Sequence, residues 1–488
     1  MATNIKRQLF SGVFYTALQK YSGIIIQLII TAVLARLLSP EDFGVVAVAT
    51  VIIAFFALFT DMGISTAIVQ NKTLDDKDIS NIFSFTLWSG IILSMMFFGA
   101  SWLIGGYYNN NTLITICQLL SINLFTSSIT IVPNALFYKN KDFKYIAIRG
   151  LTVQTICGII GVVTAALGGG LYALVIPPIL SGILLFFISY KRYPQKAHLT
   201  WGMVSIKKIF SYSIYQFMFN IINYFSRNLD KLVIGKKLGM NQLGYYQKSY
   251  SLMMLPLQNI TAVVTPVIHP IFSDFQNDLK KLSDEYEKII HFLAFIGFPL
   301  TVGLFFTAKE LILIFFGPQW MPSVETFKIL AISAGIQVVL SSSGSIYQAS
   351  GDTKSLFVCG LFSSILNVTG ILFGVFYFKT VEGVAICIST TFAINFIQCY
   401  WQMYHITFKR KSILSFLKQF ISPLCISMIL IAVMLPLDMI TNNYNCLLSI
   451  IIKGIAFIVI FATYIQKTKE YDLISKAKNM FNKYGRRK

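Results

Sequence analysis

Arg227, Asp230 and Lys231 put three ionised side chains into NIINYFSRNLDKLVIGKKLG (220–239), a stretch otherwise of membrane-helix length and composition. Together with Gln216, Asn220 and Asn223 they recur at steps of four, three, four and then three or four, so all six share one helix face. A face of amides with a net positive charge suits the binding of an anionic head group such as a phosphate or pyrophosphate. At the centre of a span an Arg, Lys or Asp costs roughly 2.5–3.5 kcal/mol against lipid. The face is therefore expected to turn to a protein interior or a watery cavity. Two plainer readings compete: Arg227 and Asp230 pair at i,i+3 and serve only packing, or Lys231 snorkels to the interface near Lys236 and Lys237.

Other ionisable residues in apolar surroundings are few. Lys20 and Gln27, with Thr16, Gly23 and Thr31, form a weaker polar face near the N-terminus. Asp61, in LFTDMGISTAIVQ, and Asp230 are the acids that could take a coupling proton or sodium ion; for Asp61 a solvated helix-end carboxylate is the plainer reading. Lys248, Lys328 and Lys453 add cations near the outer ends of spans, where snorkelling explains them. The seven cysteines are odd in number and scattered, with no metal-ligand spacing among Cys or His, and read as packing residues. No Ser/His/Asp set or paired carboxylates point to bond-making chemistry, and His198, His269, His291 and His405 all fall on the expected cytoplasmic side. No metal or cofactor is expected beyond the coupling ion.

The elements that carry these residues are membrane helices. The chain of 488 residues is 55% hydrophobic and 12% charged, and its apolar blocks recur at about 20 residues, the length that crosses a bilayer core. Such blocks are too long and uniform for barrel strands, so the fold class is an all-α polytopic membrane protein. About fourteen spans are expected, near 10–37, 44–69, 80–105, 112–136, 145–167, 170–190, 209–235, 244–271, 289–308, 323–348, 355–377, 381–404, 416–437 and 446–466. The first has no cleavage site and reads as a helix rather than a targeting segment.

The formal charge of +20 raises the prospect of a nucleic-acid partner, but its placement follows topology instead. With a cytoplasmic N-terminus, 29 of the 40 Lys and Arg fall in inside segments, Arg149 among them, and five fall outside. Both termini are thus expected in the cytoplasm. Between residues 271 and 290, SDFQNDLKKLSDEYEKIIHF places Phe275, Leu279, Leu282, Tyr286 and Ile290 on one face after a capping-box spacing of Ser273 and Gln276. It reads as an amphipathic helix on the cytoplasmic surface. Prolines 177, 178, 256, 266, 270, 299, 423 and 436 fall within spans as kinks or hinges.

Laying 10–44 on 210–244 without a gap matches Phe10, Ser11, Tyr15, Val33, Leu38 and Gly44 with Phe210, Ser211, Tyr215, Val233, Leu238 and Gly244. Span one then corresponds to span seven and span two to span eight. The expected organisation is two pseudo-symmetric, parallel six-helix lobes, 1–206 and 207–408, around a central cavity, and an appended pair of helices with a basic tail, 409–488. In that register the polar faces of spans one and seven confront each other across the solute pathway.

The stretches LARLLSPEDFGVVAVA (34–49), TDMGISTAIVQ (60–70), IGKKLGMNQLGYYQKSYSLMMLPLQNIT (234–261), PIFSDFQND (270–278) and FGPQWMPSVETFKILA (316–331) resemble the O-antigen and exopolysaccharide flippases of the multidrug/oligosaccharidyl-lipid/polysaccharide exporter superfamily. The resemblance spans almost the whole chain. It implies alternating access and translocation of a polyprenyl-diphosphate-linked oligosaccharide across a bacterial inner membrane, with membrane lipids and polysaccharide polymerase machinery as partners and coupling to a proton or sodium gradient. A cation-coupled multidrug antiporter of the same superfamily is the alternative, disfavoured because a lumen for cationic drugs calls for acids where this one is basic. A membrane glycan polymerase or ligase is the alternative of another class, disfavoured by outer connections as short as LGGGLY and GYYNNNT.

Overall fold

The computed structural model describes residues 2–71, 73–198, 214–410, 412–468 and 470, and the side chains within them apart from those of 2–10, 214–220, 222, 266 and 269. These residues fold into nineteen α-helices with no strand among them. Inside lipid a helix satisfies its own backbone hydrogen bonds, which is why apolar sequence of this length takes that form.

The chain divides into two compact units, Met1–Gln247 and Lys248–Lys488. The first holds α1 (Ala2–Leu37), α2 (Pro40–Asp61), α3 (Ile64–Gln70), α4 (Asp76–Tyr108), α5 (Asn111–Lys139), α6 (Phe143–Ala166), α7 (Tyr172–Arg192), α8 (Ile214–Lys237) and the start of α9 (Met240–Ser273). The second holds the rest of α9, α10 (Leu279–Phe306), α11 (Ala308–Phe315), α12 (Ser323–Ile332), α13 (Ala334–Leu340), α14 (Ser343–Ala349), α15 (Thr353–Phe373), α16 (Val381–Gln402), α17 (Leu414–Lys418), α18 (Ile421–Thr441) and α19 (Cys446–Thr468). Among the described residues twelve helical segments are long and apolar enough to cross a bilayer, and the bent run from Ser323 to Ala349 makes a thirteenth. α8, whose 24 described residues extend about 36 Å at 1.5 Å per residue, is long enough to span but too polar to count among them, so the described residues give twelve or thirteen apolar spans where the sequence reading expects about fourteen.

Three expectations need correction. The segment after residue 271 is not a separate surface helix. α9 runs on to Ser273, and α10 starts at Leu279 under Asp278, whose carboxylate accepts the backbone N–H of Lys281 at 3.0 Å. Leu282, Tyr286 and Ile290 are fully buried in the second unit, so the apolar face seen in the sequence belongs to the span itself. The expected span 323–348 is present as a run from Ser323 to Ala349 but is bent by 43° at Ser333, where no proline stands. Ser333 turns its hydroxyl to the Leu330 carbonyl, and Gly335 lies against Gly297 so closely that a Cβ there would come 2.8 Å from the Gly297 carbonyl oxygen. Arg149, counted among the loop cations, is buried in the first unit: it donates to Ser189 Oγ and, at 2.8 Å, to Asn134 Oδ1, with its guanidinium over the Phe137 ring.

The repeat register reappears as geometry. α1 ends at Leu37 and α8 at Lys237; α2 begins at Pro40 and α9 at Met240, in both cases the offset of 200 residues that aligned the sequences. The starts of α2 and α9 cross reciprocally: a Cβ on Gly44 would lie 1.8 Å from the Met240 carbonyl oxygen, and one on Gly244 would lie 2.0 Å from that of Pro40. The two turns thus touch each other reciprocally, and glycine is required at both crossings because backbone touches backbone.

Candidate functional site

α8 is the element that positions the charged face. It is anchored on several sides: Tyr224 donates its hydroxyl to the Val51 carbonyl on α2, Tyr108 of α4 donates to Leu232 O at 3.0 Å, and Lys236 donates to Tyr107 O. Gly235 lets α2 and α9 come close, since a Cβ there would meet Val48 and Leu243 side chains at 3.0 and 3.1 Å. The helix is thus fixed in rotation by its neighbours.

The three charges on it have different surroundings. Asp230 is buried, and Tyr246 donates its hydroxyl to Asp230 Oδ2 at 2.7 Å, while Oδ1 is buried without a hydrogen-bond partner among the described residues. Lys231 is half-buried and donates to Asn228 Oδ1 at 2.9 Å one turn back on the same helix. Arg227 is exposed, and neither an ion pair nor a hydrogen bond engages it among the described residues. The i,i+3 pairing of Arg227 with Asp230 is therefore absent: the acid turns to α9 and the arginine does not follow it. Asn223 is half-buried, and the side chains of Gln216 and Asn220 lie outside the described residues.

On α1, Lys20 is exposed beside the Tyr21 ring, 5.9 Å from its centroid. Gln27 is exposed as well, donating to Thr31 Oγ1 at 3.3 Å. Part of this polar face is already engaged within the unit. Gln154 of α6 donates to Gly23 O at 3.0 Å and to Gln27 Oε1 at 3.4 Å. Asp61 closes α2 as an exposed carboxylate that accepts the Ser65 N–H at 3.3 Å.

Two lysines expected to snorkel do not. Lys248 is buried, with its ammonium 5.4 Å from the Phe316 ring centroid and 5.9 Å from that of Trp320. Lys453 is 1% exposed and forms ion pairs with Glu310 and Asp438. The sequence reading missed this cluster, because Glu310 and Asp438 stand in separate helices, 128 residues apart in the chain, and nothing in their spacing marks them as partners. Lys328 does lie at the surface, paired with Glu325 at 2.9 Å. A second missed hub is Glu287, a buried carboxylate that accepts Ser415 Oγ at 2.7 Å, Tyr404 OH at 3.0 Å and Arg410 at 3.4 Å, tying the linker between α16 and α18 to α10.

With this geometry established, comparison with known proteins settles the family. Residues 33–325 match the polysaccharide biosynthesis protein family. The chain belongs to that family. Its curated relatives include the lipopolysaccharide biosynthesis protein WzxC of Escherichia coli (strain K12), 24% identical over 382 residues that cover 76% of each chain. The teichuronic acid biosynthesis protein TuaB of Bacillus subtilis (strain 168) is 22% identical over 414 residues, 83% of this chain and 84% of the relative. Among solved structures, the lipid II flippase MurJ in an inward closed conformation superposes with a TM-score of 0.71 at 16% identity, covering 94% of this chain and 100% of that one. That similarity shows the fold: this member of the polysaccharide biosynthesis family is a multi-pass membrane protein with the helical architecture of that structure.

Proposed function

We propose that the protein is a flippase that carries a polyprenyl-diphosphate-linked oligosaccharide, the repeat unit of an O-antigen, capsule or exopolysaccharide, across the bacterial inner membrane by alternating access. The observation that carries this reading is Arg227, an exposed guanidinium halfway along α8, a helix of membrane-crossing length, with no ion pair or hydrogen bond among the described residues. Lipid is an unfavourable neighbour for it. A water-filled cavity that receives an anion is a favourable one, and a guanidinium fork matches phosphate oxygens two at a time. Lys231, Lys20, Gln27 and Asn223 extend this polar lining, while the glycan stays in water and the prenyl chain in lipid. The relatives named for lipopolysaccharide and teichuronic acid biosynthesis, and the lipid II flippase that shares the fold, support the same class of solute.

Both termini lie in the cytoplasm on this reading, in keeping with the bias of Lys and Arg. Of the two acids considered for a coupling proton or sodium ion, Asp230 is the better placed: its second oxygen is buried and open to a partner, whereas Asp61 is exposed and already accepts a backbone N–H. Polysaccharide polymerase machinery is the proposed recipient of the flipped lipid. The test is reconstitution into proteoliposomes with a defined polyprenyl-diphosphate oligosaccharide, read by lectin access to the opposite leaflet. Flipping above protein-free vesicles is the expected result. Movement of a cationic drug without movement of the glycolipid would overturn the reading.

A further inference from the structure

Asn228 stands next to Arg227 on α8, and its side-chain amide is tied on both sides. Its Nδ2 donates to the Tyr224 carbonyl at 2.9 Å, and its Oδ1 accepts Lys231 Nζ at 2.9 Å. Both bonds fix the same orientation of the amide, because a carbonyl can only accept and an ammonium can only donate. Tyr224 is held in turn, its hydroxyl donating to the Val51 carbonyl on α2. The Lys231 ammonium is thereby drawn back along the helix toward the turn that carries Arg227, opposite to the direction of snorkelling toward Lys236 and Lys237.

Within the protein alone this placement is unfavourable. Like charges at i,i+4 repel, and drawing Lys231 back brings its charge toward that of Arg227. The neighbouring acid does not relieve them, because Asp230 is buried and takes the Tyr246 hydroxyl instead. Donor capacity is left over on both cations. Lys231 gives one of its three ammonium protons to Asn228, and none of the five N–H groups of Arg227 is engaged among the described residues. A fork and a point charge thus stand on one helix face, one exposed and one half-buried, and an anion that meets both would remove their repulsion.

We propose that Asn228 is a positioning residue that holds Lys231 on the Arg227 side of α8, so that the two cations take the two phosphates of one head group and select a diphosphate lipid over a monophosphate. The guanidinium fork receives two oxygens of one phosphate, and the ammonium meets the other. A monophosphate can engage the fork but leaves the lysine uncompensated. Asn228 touches no substrate on this account; it acts through Lys231. The inference rests on the flippase reading above and names the head-group specificity of its site.

The test is equilibrium binding of a sugar-free polyprenyl diphosphate, and of the matching monophosphate, to the purified full-length protein in nanodiscs of zwitterionic lipid. The wild type should bind the diphosphate about ten- to a hundred-fold more tightly, the worth of one further charge-assisted hydrogen bond. Asn228→Ala and Lys231→Ala should each remove most of that preference, and the double variant should lose no more than either, since both act through one ammonium. The preference is a ratio of two affinities on one sample, so a misfolded fraction does not change it; Asn228→Leu, closer in size, replaces the alanine variant should that fail to fold. Equal affinities in the wild type, a wild-type preference in Asn228→Ala, or single losses that add in the double variant would each overturn the proposal. Flipping is read separately: a protein that flips the glycolipid without this preference contradicts the phosphate pair alone, and one that shows the preference without flipping contradicts the flippase reading alone.

Discussion

Arg227, Asp230 and Lys231 fall within five consecutive positions of α8, yet one is exposed without an ion pair or hydrogen bond among the described residues, one is buried on Tyr246 and one bonds to its own helix. Charge in an apolar span is legible because it is rare and costly there. Which charge meets which partner is not, because Tyr246 comes from the next helix and Asn228 was not singled out. The same limit hid Glu310 and Asp438 from Lys453. At the connector before α15, Asp352 accepts the Ser355 N–H at 3.0 Å and the Thr407 hydroxyl at 2.7 Å. Burial alone would push its carboxyl up, but these hydrogen bonds, with the nearby Lys354 charge, outweigh it and hold the group below the ordinary carboxylate range. The stabilisation this brings is complete above the unfolded value of about 3.9 and is lost as pH falls through the folded value. Asp352→Ala should therefore cost about 1 kcal/mol at neutral pH. In denaturant unfolding the gap to wild type should narrow as the pH falls below about 4. A gap independent of pH would mean that the carboxylate is not the source.

The helices themselves were the most legible feature, since a bilayer imposes one length and one backbone solution on every span. Where the structure departs from the expected elements, tertiary contact decided. The face of Leu282, Tyr286 and Ile290 has the periodicity of a surface helix and of a buried span end alike, and only its packing partners separate the two. The bend at Ser333 depends on Gly335 meeting Gly297 of another helix, which no local signal announces. The glycine crossing was half legible: Gly44 and Gly244 aligned in the repeat, but their contact with the carbonyls of Met240 and Pro40 is visible only in space. It yields a comparison among glycines. Gly44→Ala and Gly244→Ala should each destabilise by about 1–3 kcal/mol, the usual cost of overpacking. Gly99→Ala, where nothing lies within 4 Å of the added Cβ, should be neutral or stabilise by up to about 1 kcal/mol. Thermal unfolding of the three variants in detergent checks this, and equal behaviour of all three would contradict the crossing.

At the scale of the whole molecule, a diphosphate head group cannot enter hydrocarbon unaided, and a protein that moves it must offer compensating charge at membrane depth. This chain concentrates that charge on one helix that its neighbours hold in place, within a fold shared with a lipid II flippase. Which glycan the proposed flippase would carry is not legible, because a wet cavity would accommodate many sugars through water and set few residue types. The claim that Arg227 holds the head group is tested most directly by the flipping rate of polyprenyl-diphosphate oligosaccharide in proteoliposomes, wild type against Arg227→Ala at equal reconstitution and equal melting temperature. Loss of a charge-assisted hydrogen bond of about 1.5–3 kcal/mol predicts a rate lower by about ten- to a hundred-fold. Arg227→Lys should fall between, because an ammonium keeps the charge and loses the fork. A wild-type rate in Arg227→Ala would contradict the account and move the binding face elsewhere.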